Sequence, residues 1–282
     1  MLLKQYKSYF SEQLSSIFPQ TEIDTFFFLL IEEYLAFQRI DLTLHPAFEV
    51  PSDKKMLLDE ALVRLKKEEP IQYILGKTEF FGLPFNVDKN TLIPRPETEE
   101  LVEWVIKEVK KSQNLLSILD IGTGTGCIPI SLKKQLPNVN VSAIDVSEKA
   151  LSIAKKNAEL NDVEVSFMLQ DILKTKVLNS KFDIIVSNPP YVRELEKAEI
   201  KNNVLENEPH LALFVEDNNP LLFYKKIADL AKNSLAKTGI LFFEINQYLG
   251  KETVDMLKSK GFTKVEIRKD LFGNDRMIRA QV

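Results

Sequence analysis

Hydrophobic residues in the first quarter of the chain recur at the spacing of α-helices. Two groups repeat at intervals of one, three and four residues: Ile23, Phe26, Phe27, Leu30 and Ile31, and later Met56, Leu57, Ala61, Leu62 and Leu65. Such spacing places apolar side chains on one face of a helix. Helices this short need to pack against each other to be stable. We therefore expect residues 1–75 to form a small helical domain.

The pattern changes at about residue 76. Aromatic and apolar residues flank a glycine-proline turn within 80–87, and Thr91-Leu92-Ile93 follow. This favours a β-hairpin linker over residues 76–93. A helix is expected from about Glu97, because acidic residues in its first turn suit the positive end of a helix. That helix opens a larger domain, residues 94–282.

Short apolar strands then alternate with amphipathic helices. The strand candidates span 116–121, 139–144, 163–168, 182–186 and 240–244, with two more at 264–268 and 277–281 after a helix near 251–260. Alternation of this kind predicts a parallel sheet covered by helices on both faces. The expected fold is a doubly wound, mostly parallel α/β sheet with a smaller amino-terminal helical domain.

Composition narrows the classes of protein that this pattern allows. The 282 residues are 44% hydrophobic and 28% charged, as in ordinary globular domains, and no apolar run is long enough to cross a bilayer. The first residues lack the apolar core of a secretion signal, so a cytoplasmic location without a membrane partner is expected. One cysteine and two histidines are too few for a disulfide or a zinc site, so no metal is expected.

A glycine-rich segment follows the first strand of the larger domain. Gly122, Gly124 and Gly126, separated by Thr123 and Thr125, let the backbone turn sharply and approach a ligand closely. A nucleotide-like cofactor is expected there. The spacing is GxGxG, because the last place of the dinucleotide pattern GxGxxG falls on Cys127. The loop therefore argues against NAD.

Three later residues are candidates for the rest of the cofactor site. Asp145 ends the second strand and is placed to accept hydrogen bonds from both ribose hydroxyls, a role that carboxylates play for several nucleotide cofactors. Asp171 could accept from an adenine amino group, with Ile172 packing on the ring. An acid at a strand end can equally cap a helix, which leaves the role of Asp171 open.

The fourth strand runs into Asn188-Pro189-Pro190-Tyr191. The first and fourth strands of a doubly wound sheet flank the point where ligands bind. The Asn188 side-chain oxygen and the Pro189 carbonyl can each accept one N–H of an amide or ring-attached amino group. Both acceptors would stabilise positive charge that develops on this nitrogen during attack. The prolines restrict the loop, and Tyr191 offers a flat face for stacking, so Asn188, Pro189 and Tyr191 are the candidate catalytic residues.

At this point the sequence resembles the protein-glutamine N5-methyltransferases of the HemK/PrmC type, over nearly the whole chain. The matching segments, besides the glycine loop and Asn188–Tyr191, are Glu69-Pro70-Ile71-Gln72-Tyr73 with Gly76 and Phe80, Leu92-Ile93-Pro94-Arg95-Pro96-Glu97-Thr98-Glu99, Glu208-Pro209 with Ala212-Leu213, Phe242-Phe243-Glu244-Ile245, and Asp270-Leu271-Phe272-Gly273-Asn274-Asp275-Arg276. The run from Leu92 to Glu99 is the most specific to the family.

The resemblance implies a class I, Rossmann-like methyltransferase fold and S-adenosyl-L-methionine as cofactor. It implies that Gly122–Gly126, Asp145, Ile172 and Asn188 contact that cofactor, and that Asn188–Tyr191 hold a glutamine. The expected substrate is the glutamine of the Gly-Gly-Gln motif in peptide chain release factors, gripped with help from the amino-terminal helices. A monomer is expected.

Two segments depart from the family pattern. Asn218-Asn219-Pro220-Leu221 stands where the family usually has Asp-Gly-Leu, and Glu244-Ile245-Asn246-Gln247 stands where it has Glu-Ile-Gly with a later Gln. We expect neither departure to touch the chemical core.

Two other functions stay open from the sequence. A nucleic acid adenine-N6 or guanine-N2 methyltransferase would present the same two N–H donors to Asn188–Tyr191. Such an enzyme is expected to carry a basic groove, yet residues 1–90 hold 10 Lys+Arg against 14 Asp+Glu, so a stable nucleic acid partner is not expected. The third possibility is a non-catalytic binding module, which the intact glycines and the intact Asn188–Tyr191 disfavour.

Overall fold

A computed structural model describes residues 1–111 and 116–282. The chain divides into two compact units, Met1–Gly76 with Lys201–Asn207, and Lys77–Ile200 with Glu208–Val282. Within the described ranges, no helix has both the length and the apolar character needed to cross a bilayer.

The first unit is a small bundle of helices. They are α1 (Leu3–Leu14), α2 (Gln20–Leu35), α3 (Asp41–Leu44), α4 (Ser52–Leu65), α5 (Ile71–Leu75) and the later α9 (Asn202–Asn207). The predicted apolar face of α2 is buried as expected. In α4 the prediction was wrong at two positions, because Met56 and Leu57 are exposed and Leu58 is buried instead. Of three successive apolar residues, only Leu58 lies on the same helical face as Ala61, Leu62 and Leu65.

The second unit is built around a seven-stranded sheet. Its strands, with a hairpin and a short pair, are β1 (Lys77–Phe80), β2 (Leu83–Asn86), β3 (Ser117–Ile121), β4 (Asn140–Asp145), β5 (Ser166–Leu169), β6 (Phe182–Ser187), β7 (Val192–Arg193), β8 (Phe214–Val215), β9 (Leu235–Glu244), β10 (Thr263–Lys269) and β11 (Asp275–Gln281). The sheet order is β10-β11-β9-β6-β3-β4-β5. The strands β9, β6, β3, β4 and β5 are parallel to one another, and β11 runs antiparallel to both of its neighbours, β9 and β10.

Helices cover both faces of this sheet, which confirms the predicted fold class. They are α6 (Pro96–Val109), α7 (Cys127–Gln135), α8 (Glu148–Leu160), α10 (His210–Leu213), α11 (Leu222–Ser234) and α12 (Gly250–Ser259), with a 3₁₀ helix at Glu194–Glu199. Successive strand residues alternate between two buried clusters: Ile184 and Phe242 pack with α6 and α7, whereas Ile185 and Phe243 pack with α11 and α12. Two apolar faces on one strand explain the continuous hydrophobic runs in the sequence.

The centre of the sheet determines where ligands can bind. The adjacent strands β3 and β6 are in register, with Ile121 opposite Ser187. The Ser187 hydroxyl also donates to the Ile121 carbonyl at 2.6 Å. Gly122 and Asn188 therefore leave the sheet side by side at its carboxyl edge, as the doubly wound prediction requires.

Candidate active site

The glycine loop joins β3 to α7, and the space around its three glycines differs. Gly122, Gly124 and Gly126 all have positive φ angles, at 78°, 54° and 80°. A Cβ on Gly122 or Gly124 would meet no atom within 4 Å, so the backbone there faces open space. A Cβ on Gly126 would lie 2.9 Å from Ile130 Cδ1 and 3.1 Å from Ala154 Cβ. The first two glycines thus leave room for a ligand, and the third allows close packing between α7 and α8.

Asp145 lies at the end of β4, beside this loop. Its Oδ2 accepts from the Gly124 backbone N–H at 2.8 Å, and its Oδ1 accepts from the Ser147 N–H at 2.8 Å. Both contacts fix the carboxylate against the open side of the loop. Each carboxylate oxygen retains a further lone pair, so the contact with ribose hydroxyls stays a prediction.

Asp171 and Ile172 follow β5 and have other partners in the structure. Asp171 Oδ1 accepts from the Leu173 N–H at 3.0 Å, and Oδ2 lies 3.0 Å from Lys174 Nζ. The Lys174 ammonium holds the pKa of Asp171 below its usual value. Ile172 is buried in the hydrophobic cluster that includes Ile121 and Ile144. Their contacts with adenine stay predictions.

Asp120, which precedes the glycine loop in β3, is a residue to which the sequence analysis gave no role. It is fully buried, and neither carboxyl oxygen has a hydrogen-bond partner among the described residues. Burial raises the pKa of this carboxyl to about 7, and the negative charge of Asp145 adds to the rise, whereas the nearby Thr123 hydroxyl and Ile121 backbone partly offset it. Buried polar groups in folded proteins are nearly always paired, so Asp120 is suited to a ligand that brings donors or positive charge.

The turn Asn188–Tyr191 begins directly after β6 and is linked to α6 and β9 by a chain of side chains. Asn188 Nδ2 donates to Thr98 Oγ1 at 3.3 Å, and Thr98 Oγ1 donates to Glu244 Oε2 at 2.6 Å. The Tyr191 hydroxyl donates to Glu244 Oε1 at 3.0 Å. Glu244 and Thr98 are buried.

The direction of these hydrogen bonds fixes the orientation of the Asn188 amide. An ionised carboxylate only accepts hydrogen bonds, so Thr98 must give its single hydroxyl proton to Glu244. Thr98 can then only accept from Asn188, which therefore turns its NH2 group towards Thr98. This orientation turns the Asn188 side-chain oxygen away from Thr98, and its role as an acceptor for a substrate N–H stays a prediction.

Burial raises the pKa values of Glu244 and Tyr191, the two groups that complete this series of hydrogen bonds. It raises the pKa of Glu244, although the donors Thr98 and Tyr191 partly offset the rise. Burial, together with the charge of Glu244, raises the pKa of Tyr191, so the phenol stays protonated and able to donate. Hydrogen bonds to an ionised group are stronger than neutral ones, so the carboxylate form of Glu244 holds Thr98 and Tyr191 most firmly.

Replacing Glu244 with glutamine should therefore lower kcat about tenfold, the loss expected for a weakened charge-assisted bond. The reason is that a glutamine amide also donates, so Thr98 no longer has one obligatory orientation. In the wild type, kcat should fall as the pH drops through the raised pKa of Glu244, whereas the variant should lack this dependence. Measuring kcat against pH for both proteins tests the assignment, and parallel profiles would contradict it.

A second contact holds the segment before α6 in place. Arg95 donates to Glu208 Oε1 at 2.6 Å, and the Ile93 N–H donates to Glu208 Oε2 at 3.2 Å. Glu208 is almost completely buried. The pair joins two of the segments that resemble the methyltransferase family, and it fixes the start of the helix that carries Thr98.

The structure corrects one expectation about the departures from the family pattern. Asn246 Nδ2 donates to the carbonyl of Tyr191 at 3.0 Å, so this residue does contact the candidate chemical site. Sequence reasoning missed Thr98, Glu244 and Asp120 as well. The available signal for Asp120 and Glu244 was a single acid directly after apolar residues of a predicted strand, since acids are rarely fully buried unless they are paired.

Comparisons with known proteins identify the family of this chain. The family model of the PrmC N-terminal domain matches residues 2–76, and that of the methyltransferase small domain matches residues 101–212. A release factor glutamine methyltransferase from Flavobacterium psychrophilum is 58% identical over 281 residues, 99% of each chain. One of the same description from Bacteroides thetaiotaomicron is 43% identical over 279 residues, again 99% of each chain.

A solved structure supports the fold alone. The 16S rRNA N2 G1207 methyltransferase of T. thermophilus, in complex with AdoMet and guanosine, superposes with a TM-score of 0.53 at 17% identity. The match covers 73% of the present chain and 49% of the other.

Proposed function

Because this chain belongs to the family of release factor glutamine methyltransferases, we propose that it methylates the side-chain nitrogen of the glutamine in the Gly-Gly-Gln motif of a peptide chain release factor, with S-adenosyl-L-methionine as methyl donor. The observation that carries the proposal is the orientation of Asn188. Its amide oxygen, fixed by Thr98 and Glu244, lies on the turn that leaves the sheet beside the glycine loop.

The residues around the loop fit this cofactor. The open space over Gly122 and Gly124 leaves the backbone accessible, and among the described residues neither oxygen of the buried Asp120 carboxyl makes a hydrogen bond of regular geometry. S-adenosyl-L-methionine carries an ammonium and a sulfonium group, either of which would favour the ionised form of Asp120. Asp145 would hold the ribose, and Asp171 with Ile172 would hold the adenine. When bound, the cofactor supplies an electrophilic methyl group.

The residues of the turn act on the glutamine. Asn188 Oδ1 and the Pro189 carbonyl each accept one amide N–H, which holds the nitrogen with its lone pair out of conjugation. With the cofactor bound, this nitrogen would accept the methyl group that the sulfonium supplies, the thioether would be the leaving group, and the nitrogen would release one proton to solvent. Both acceptors stabilise the positive charge that develops on nitrogen. No strong base is needed, because an amide nitrogen that has gained a methyl group loses its proton readily.

Labelled S-adenosyl-L-methionine can identify the substrate. Purified protein should transfer label to a recombinant release factor, and not to total RNA or DNA in a parallel reaction. Mass spectrometry should place one methyl group on the glutamine. A release factor with this glutamine replaced by alanine is the matched control and should stay unlabelled. Label in nucleic acid alone would establish an amino-group methyltransferase of the other class and refute the proposal.

A further inference from the structure

Asn246 lies two residues beyond Glu244, just past the end of β9, and is 4% exposed. Its Nδ2 donates to the Tyr191 carbonyl at 3.0 Å and to the two Glu196 carboxylate oxygens at 2.9 and 3.2 Å. Its Oδ1 accepts from the Tyr248 N–H at 2.9 Å. This side chain thus joins the end of the Asn188–Tyr191 turn to the 3₁₀ helix that contains Glu196.

The number of N–H groups on the Asn246 side-chain amide allows it only one orientation. An asparagine amide has two N–H groups. One is used by Tyr191, and the other is shared between the oxygens of Glu196. The Tyr248 N–H requires the oxygen on the opposite side, so the side chain cannot turn over without breaking several bonds. Loss of a buried partner costs about 1–3 kcal/mol for each group left unpaired.

Residues at the end of β9 therefore hold both the side chain and the backbone of Tyr191. Its hydroxyl donates to Glu244 at 3.0 Å, and its carbonyl accepts from Asn246 at 3.0 Å. The prolines at 189 and 190 make the turn stiff, so a shift of Tyr191 moves the Pro189 carbonyl with it. An error of about 1 Å in a reacting group can cost about 100-fold in rate.

We propose that Asn246 is a positioning residue for methyl transfer, which sets the Pro189 carbonyl through its bond to Tyr191. The inference rests on the proposed function. The resembling family usually has a glycine here, which has no side chain to make these bonds, so the device is a feature of this chain's own sequence.

The Glu196 contact allows this role to be separated from a purely structural one. Glu196 is buried, and it also accepts from the backbone and guanidinium of Arg193, at 2.8 Å each. Asn246→Asp places a second carboxylate against Glu196 and removes the donor to Tyr191. Combining it with Glu196→Gln reverses the amide and carboxylate, which restores one hydrogen bond between positions 196 and 246 but returns no donor to the Tyr191 carbonyl.

The test compares kcat, KM and Tm for the wild type, Asn246→Asp, and the double variant, with labelled cofactor and release factor. Asn246→Asp should lower Tm and reduce kcat at least tenfold. The double variant should regain part of the lost Tm, because two carboxylates no longer face each other although one contact of residue 196 with Arg193 is lost. Its kcat should stay as low as that of Asn246→Asp, and KM for S-adenosyl-L-methionine should be unchanged. Asn233→Asp, on an exposed part of α11, is the matched control and should behave as wild type.

Recovery of kcat together with Tm in the double variant would overturn the inference, because Asn246 would then act only in folding. Asn246→Ala provides an independent check, and full kcat in a folded Asn246→Ala protein would also overturn it. Failure of the wild type to label the release factor would instead refute the proposed function, so the two failures are distinguishable.

Discussion

Replacing Asn188 with alanine should lower kcat for release factor methylation by about 100- to 1,000-fold, the loss that follows removal of one preorganised group facing a developing charge. The side-chain oxygen of Asn188 is the one acceptor of the turn that a substitution can remove, since the other is a backbone carbonyl. The Kd for S-adenosyl-L-methionine, measured by calorimetry, should change little, because the glycine loop and Asp145 are expected to provide most of the cofactor contacts.

Two further variants distinguish the loss of the Asn188 oxygen from the loss of the group that orients it. Thr98→Val removes the group that orients the amide and keeps the acceptor, so its kcat should fall less than that of Asn188→Ala. Asn233→Ala changes an exposed asparagine on α11 and should leave kcat unaltered. Near-normal kcat for Asn188→Ala with release factor would show that the turn does not hold the glutamine in the proposed way.

The parts of this site that depend on neighbouring residues in the sequence could be predicted. The glycine loop and the turn at 188–191 each follow a strand that is visible as an apolar run. Their proximity then follows from the order of strands in a doubly wound sheet, which places the first beside the fourth. The pairing of Ile121 with Ser187 is what this rule requires.

The supporting residues could not be found in the same way. Thr98 lies 90 positions from Asn188 and 146 from Glu244, and no spacing rule connects residues so far apart. Glu244 ends β9 directly after the apolar residues 240–243, and an acid at that position is an exception to the apolar pattern. Asn246 was visible only as a departure from a family pattern, and its contacts depend on how the chain folds after Tyr191.

Asp120 combines a cost to the stability of the free protein with the proposed role in cofactor binding. The rise in the pKa of this carboxyl from 3.8 to about 7 corresponds to about 4 kcal/mol in favour of the protonated form. Between these values the folded state holds a proton that the unfolded state has lost. The contribution of Asp120 to the stability of the free protein should therefore decrease as the pH rises from about 4 to about 7. The positive charge of the cofactor has the opposite effect, because it favours the ionised carboxylate.

Asp120→Asn should accordingly weaken cofactor binding and reduce the pH dependence of the stability of the free protein. The Kd for S-adenosyl-L-methionine at pH 8 should increase at least tenfold, since a hydrogen bond to a charged group contributes roughly 1.5–3 kcal/mol. In the wild type this Kd should decrease as the pH rises through about 7, whereas in the variant it should be independent of pH. Without cofactor, the decrease in Tm with rising pH should be smaller in the variant than in the wild type or in Asp255→Asn, an exposed control on α12. Equal pH dependence of Tm in all three proteins would mean that Asp120 is ionised in the free protein and pairs with a donor there. The proposed role of Asp120 in cofactor binding would then be wrong, because a donor within the protein would already stabilise its negative charge.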